Sequence, residues 1–319
     1  MLRRGWVLFG AMTLAACSQP APREEVPMGA VDTDWPSIPG DAVFGQVSAV
    51  DVDSHGHIFV FHRAGRAWEE PFPADPIADP TVFMLASDGT LLAKWGAGEF
   101  IMPHGLSVDG DDNIWLTDVG REQVFRFSHD GDEQLVMGER GVTAQDATHF
   151  GRPADIAFLG DRVLVADGYV NKRVAEFDRG GNYLGEFGDF RIAHAVAVDD
   201  DRIYVADREN ARIQLFSHDG KLLETRKSPN GSHTYSLKPL GGGWLVAVEG
   251  RDGADRSGAI VRVYRPDGSI DRSLDVGLDG EDASLGHDIA IGPDGLAYVT
   301  DVYGDRVVRF ELTPKEDEQ

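Results

Sequence analysis

The chain has 319 residues, 42% of them hydrophobic, enough apolar material to bury a large core and to make disorder the wrong default. Its formal net charge of −24 argues against a nucleic-acid backbone or an anionic membrane surface as partner, since both would repel it. The 38 glycines and 16 prolines, with aspartates beside many glycines, point to short strands and tight turns and not to long helices.

At the N-terminus, Arg3-Arg4, the apolar run 6–14 and small residues before Cys17 read as an export signal. The run is too short to remain as a membrane-spanning helix. Leu14-Ala15-Ala16-Cys17 resembles the bacterial lipobox, so residues 1–17 are expected to be a lipoprotein signal with Cys17 as the lipidated residue. Ser18, and not Asp, follows it, which implies a lipid-anchored protein on the periplasmic face of the outer membrane, touching the membrane through its lipid alone. Cys17 is the only cysteine, so the mature chain has no internal disulfide and must hold any metal with His, carboxylate or backbone oxygen. Residues 18–40, rich in proline and acidic residues, read as a flexible tether.

From residue 41 the chain is punctuated by hairpin turns: Ser87-Asp88-Gly89, His129-Asp130-Gly131, Arg179-Gly180-Gly181, His218-Asp219-Gly220 and Pro266-Asp267-Gly268. Each lies between an apolar strand and a more polar outer one. The unit is a four-stranded antiparallel meander, starting near 47, 103, 153, 193, 234 and 286, a spacing that suits propeller blades. The expectation is therefore all-β, a six-bladed β-propeller over 41–313, with a charged tail at 314–319. The sixth unit lacks an obvious fourth strand after Phe310, so residues 31–46 are expected to close the ring.

In such a meander the end of the second strand lies beside the start of the first, which puts two columns of residues on one face. The first column reads Ser48, His104, Ala154, His194 and His287 in the five clear units. Just past the second strand, Asp118, Asp167, Asp207 and Asp301 recur and read as turn-capping scaffold. Residues that break the repeat are the better functional candidates: the three histidines, Arg63 and Arg208 at one position of two units, and Tyr169 beside it in a third. Three histidines at the mouth of a narrow channel suit a catalytic zinc, leaving its fourth position open. Asp288, next to His287, points to the opposite side of its strand and, with carbonyls of Val50 and Leu106, offers a site for a hard cation such as calcium. His129 and His218 sit in turns, and His55, His57, His62, His149 and His233 fit no converging column.

Together, Ile58-Phe59-Val60-Phe61-His62-Arg63, Pro103-His104-Gly105-Leu106-Ser107-Val108-Asp109, Asp167-Gly168-Tyr169-Val170-Asn171-Lys172-Arg173, Ala206-Asp207-Arg208-Glu209-Asn210 and Gly286-His287-Asp288-Ile289 resemble the peptidyl-α-hydroxyglycine α-amidating lyases, within the wider group of NHL-repeat propellers. The resemblance covers most of 45–312. It implies a zinc-dependent carbon–nitrogen lyase cleaving peptidyl-α-hydroxyglycine, or a related N-acyl hemiaminal, to an amide and glyoxylate. It further implies Zn2+ on His104, His194 and His287, a structural Ca2+ at Val50, Leu106 and Asp288, Tyr169 as base, and Arg63 and Arg208 as essential cations. The residue types agree: a tyrosine beside arginines can take a proton, and an arginine can clamp a carboxylate with two hydrogen bonds. Which arginine does which stays open. Val170 and Leu215 stand where animal members have cysteines, and Gly286 and Ala193 where the family often has proline. The alternatives are another metal-dependent propeller enzyme, such as a lactonase or a different lyase, and a non-catalytic lipid-anchored NHL binding propeller.

Overall fold

The structure is a computed structural model, and it describes residues 28–36, 38, 44–251, 257–278 and 284–312. The expected signal segment, Cys17, most of the tether and the charged tail lie outside the described residues.

Six antiparallel sheets follow one another along the chain, five of four strands and one of three, each a meander in sequence order. They are the six blades of a β-propeller. The inner strands are Val47–Val52, Pro103–Val108, Asp155–Leu159, Ala193–Val198, Thr234–Gly241 and Gly286–Ile291. Blade starts read from the sequence coincide with these strands, except that the third begins two residues later.

The local chemistry repeats. Second strands such as Ile58–His62 and Ile114–Asp118 are buried throughout, because a sheet lies against each of their faces. Outer strands such as Leu91–Trp95 alternate between exposed and half-buried residues, as an edge with one solvated face should. The turn before each outer strand closes through a glycine N–H, as Gly131 N donates to Ser128 O at 2.9 Å with Gly131 at φ 89°, a backbone conformation other residues resist.

The core sits between blades. Phe59, Phe61 and Val82 of blade one pack on Leu106, Leu116 and Phe125 of blade two, with Phe61 edge-on to Phe100 at 4.9 Å between ring centres. Around the axis, inner strands are tied to their neighbours by side chains. Asp51 Oδ2 accepts from Val108 N at 2.9 Å, Asp155 Oδ2 from Val196 N at 2.9 Å, and Asp288 Oδ2 from Val50 N at 3.0 Å.

Blade six has three strands, and the described part of the expected tether lies along its outer edge. Gly29 N donates to Glu311 O at 2.9 Å and Asp32 N to Arg309 O at 2.8 Å, a short antiparallel bridge among the described residues of the segment expected to close the ring. Trp35 is buried beside it, its ring 5.0 Å from that of Tyr298. Because apolar Trp35 removes itself from water on this seam, residues 29–35 of the expected tether belong to the folded ring.

Candidate active site

Starts of inner strands and ends of second strands meet on one face of the ring, and the histidine column converges there on the axis. His104, His194 and His287 are all buried, with ring centres 4.8 to 5.0 Å apart and one ring nitrogen from each within 4.8 Å of the others. Each is aimed by the next blade's backbone: His104 Nδ1 at Ala154 O (2.8 Å), His194 Nδ1 at Tyr235 O (2.7 Å) and His287 Nδ1 at Ser48 O (2.7 Å). A carbonyl only accepts, so Nδ1 carries the proton and Nε2 presents its lone pair to the axis. Burial and neighbouring cations push all three imidazoles down, His287 to about 3, so all are neutral.

This donor set fits a zinc ion. Three neutral nitrogens with fixed tautomers converge without any thiolate. His194 Nε2 has no hydrogen-bond partner among the described residues although it is buried, a cost that a bound metal would remove.

The cations and tyrosine named from the repeat's exceptions gather above the trio. The Tyr169 hydroxyl lies 2.9 Å from His104 Nε2 and accepts from Arg208 Nη1 at 3.2 Å. The Arg208 guanidinium is 5.3 Å from the Tyr169 ring centre and 5.2 Å from that of Tyr235. Arg63 is wholly buried and donates through Nε to Pro103 O at 3.0 Å and through Nη1 to Gln46 Oε1 at 2.9 Å; burial pulls its pKa down to about 10. Arg63, Tyr169, Arg208 and His287 line a cavity of about 350 Å³, a size that suits the end of a peptide.

Loop 64–80 roofs this cavity. Trp68 packs 5.6 Å from the Tyr169 ring centre and 6.1 Å from that of His104, and Arg63 stacks on it at 5.1 Å. The loop is tied down by Glu70 to Arg152 at 3.0 Å and by Arg66 Nη1 to Ile101 O at 2.8 Å.

The recurring carboxylates serve the backbone. Asp118 accepts from Ile101 N, Met102 N, Gly120 N and Arg121 N, and Asp301 accepts from Leu285 N and Gly304 N. One layer below the histidines, Asp288 is buried and accepts from Val50 N, Ser236 Oγ and Ile289 N. Lys238 adds a positive charge to this channel, 4.0 Å from Asp51. Both Asp288 oxygens are thus occupied by donors, two backbone N–H groups and a hydroxyl, and the Lys238 charge also acts on the carboxyl.

Two contributors escaped the sequence reading. Tyr235 holds the histidine position in blade five, as the pairing Thr234↔Glu249 shows by matching Ala193↔Asp207. Its signal was hidden because that blade ends its second strand in Glu249, not Asp. Gln46, which orients Arg63, precedes the first strand and belongs to no repeat column.

The comparisons with known proteins agree with this geometry. Residues 190–216 match the NHL repeat family. The chain is 30% identical to the probable peptidyl-α-hydroxyglycine α-amidating lyase of Caenorhabditis elegans, over 84% of this chain and 83% of that one. It is also 30% identical to peptidyl-glycine α-amidating monooxygenase B of Xenopus laevis, over 89% of this chain but spanning only 36% of that protein's length. A solved streptogramin B lyase covers 91% of the chain with a TM-score of 0.61 at 13% identity, a likeness of fold alone. Identity of 30% sustained over 84% of this chain and 83% of the nematode relative shows that the chain belongs to the peptidyl-α-hydroxyglycine α-amidating lyase family.

Proposed function

We propose that this chain is a zinc-dependent carbon–nitrogen lyase that cleaves peptidyl-α-hydroxyglycine to a peptide amide and glyoxylate. One observation carries the reading: the Tyr169 hydroxyl is held between His104 Nε2 and Arg208 Nη1 at the cavity floor. A zinc ion on His104, His194 and His287 would supply Lewis acidity, making a hydroxyl beside it easier to deprotonate.

The chain's own residues perform the rest. Tyr169 is the base that takes the hydroxyl proton of the hemiaminal. The electron pair left on that oxygen becomes the second bond of the glyoxylate carbonyl as the C–N bond breaks. The departing amide nitrogen takes the proton from Tyr169, so no water is consumed and the tyrosine ends as it began. Arg208 donates to the phenolic oxygen and fixes its position. Arg63, with Nε and Nη1 committed to Pro103 and Gln46, presents the remainder of its guanidinium to the cavity and binds the substrate carboxylate. Trp68 and its loop exclude water above the reacting carbon.

The test is to incubate the protein with a chromophore-tagged peptide ending in α-hydroxyglycine and measure glyoxylate and amide. Equal release of both is expected, abolished by a chelator and restored by zinc. Folded, zinc-loaded protein with no release above background would overturn the reading. Calcium belongs to the same proposal as a structural ion on Asp288 and the carbonyls of Val50 and Leu106. Asp288→Asn is expected to remove one equivalent of bound calcium and keep the zinc; calcium retained in that variant would remove the assignment.

A further inference from the structure

We propose a second metal site on the face of the ring opposite the axial histidines, formed by Asp53, His55, His57 and His129 and suited to a divalent transition ion. Asp53 follows the inner strand of blade one, and five residues at about 3.3 Å each separate it from the histidine layer at Ser48, some 17 Å away. His55 and His57 fit no column of the repeat and His129 sits in a hairpin turn, because the three converge from the turn of one blade and the outer hairpin of the next.

The two oxygens of Asp53 are used differently. Oδ1 builds the turn, accepting from His55 N at 2.9 Å and His57 N at 2.8 Å. Oδ2 is left for side chains, and two imidazoles reach it: His57 Nδ1 at 2.8 Å and His129 Nε2 at 2.9 Å. His55 Nδ1 stands 3.9 Å from the same oxygen, and a ligand atom from each of the four residues lies within 4.8 Å of the others. Tetrahedral zinc with ligands at about 2.0–2.1 Å sets them about 3.3 Å apart, so an ion enters with small shifts of the rings. The carboxylate is buried and the His57 and His129 side chains are 31% and 30% exposed, so an ion reaches the site from solution.

The neighbouring blades show what this position holds when it serves structure alone. Asp109 of blade two builds its turn with Oδ1, accepting from Asp111 N and Asn113 N, and its Oδ2 accepts from Trp115 Nε1 and from Arg179 Nη1 of the next blade. Asp199 of blade four gives its second oxygen to the Tyr204 hydroxyl. At the Asp53 position, His57 of blade one stands where blade two has Asn113, and His129 of blade two reaches across where blade three supplies Arg179. Amide and guanidinium give way to imidazoles, which bind zinc, copper and nickel well, while the indole and phenol position is filled by Phe59, which offers the carboxylate no donor. Asp112, anchored by Ser54 Oγ at 2.7 Å, lies 3.4 Å from the same His55 Nδ1 and adds a second carboxylate beside the cluster. The ion would clip blade one to blade two, independently of the reaction proposed above.

The test counts zinc on the full-length protein and on a variant carrying His104→Ala, His194→Ala and His287→Ala. Titrated with Zn2+ and gel-filtered, the wild type is expected to retain two equivalents and the axial variant one, with the variant's melting temperature rising on zinc addition. Adding His57→Gln and His129→Gln to the axial variant is expected to abolish both the remaining zinc and that rise. An axial variant that binds no zinc, or that keeps it after those changes, overturns the site. Should the multiple variants fail to fold, His55→Ala in the wild type serves, since its ring is largely exposed. It is expected to weaken one of the two zinc equivalents at least tenfold, and unchanged binding of both overturns the site.

Discussion

His62 and His104 are both buried histidines at the mouth end of their strands, and their surroundings give them unlike parts. His104 has each ring nitrogen engaged, by Ala154 O and the Tyr169 hydroxyl. His62 lies edge-on to Phe83 at 4.5 Å, accepts from Ala64 N through Nδ1, and has Nε2 without a partner among the described residues. Burial alone holds its pKa down to about 4. The unfolded chain takes up that proton near pH 6.5 and the native chain only near 4, so this share of stability is complete above pH 6.5 and drains away as pH falls. On acidification from pH 7.5 to 4.5, the wild type should lose on the order of 2 to 3 kcal/mol more than His62→Phe, read from urea midpoints of zinc-loaded protein. Equal losses would show that His62 is protonated in the native state at pH 4.5.

Among the elements, loop 64–80 is the one whose job differs most from scaffold. Its proline-stiffened chain would read equally well as bare surface, but Trp68, packed against Tyr169 and His104, makes it a wall of the cavity. Trp68→Ala should raise KM about tenfold with a smaller fall in kcat, since it removes packing on the bound peptide while Tyr169 keeps its partners. Unchanged kcat/KM would make the loop a bystander. At this scale most of the fold is legible in the sequence, because each blade repeats its own pattern and each Asp-Gly turn marks a hairpin. The histidine column, Tyr169 and both arginines were legible for the converse reason, as exceptions to that repeat. The division of roles between Arg63 and Arg208 was not, since it depends on which guanidinium meets the Tyr169 hydroxyl across blades. The cluster around Asp53 was hidden for the same reason: His129 lies 76 residues away in sequence.

For the whole molecule, the axial site exists only when the ring closes. Blade six supplies His287, whose orienting carbonyl is Ser48 O of blade one, and the seam between these blades is fastened by the segment around Asp32 and Trp35. Blades two, four and six each give one imidazole, and blades one, three and four give Arg63, Tyr169 and Arg208. Six-fold repetition thus builds a rigid frame in which no single blade carries the chemistry. In the proposed reaction Tyr169, placed by this closure, moves the substrate's proton beside a zinc that the three histidines would hold. Tyr169→Phe, compared with wild type for zinc content and for glyoxylate released from a peptide ending in α-hydroxyglycine, tests it most directly. The variant should keep its zinc and lose turnover by at least about a hundredfold; a zinc-loaded variant that releases glyoxylate at the wild-type rate would contradict the account.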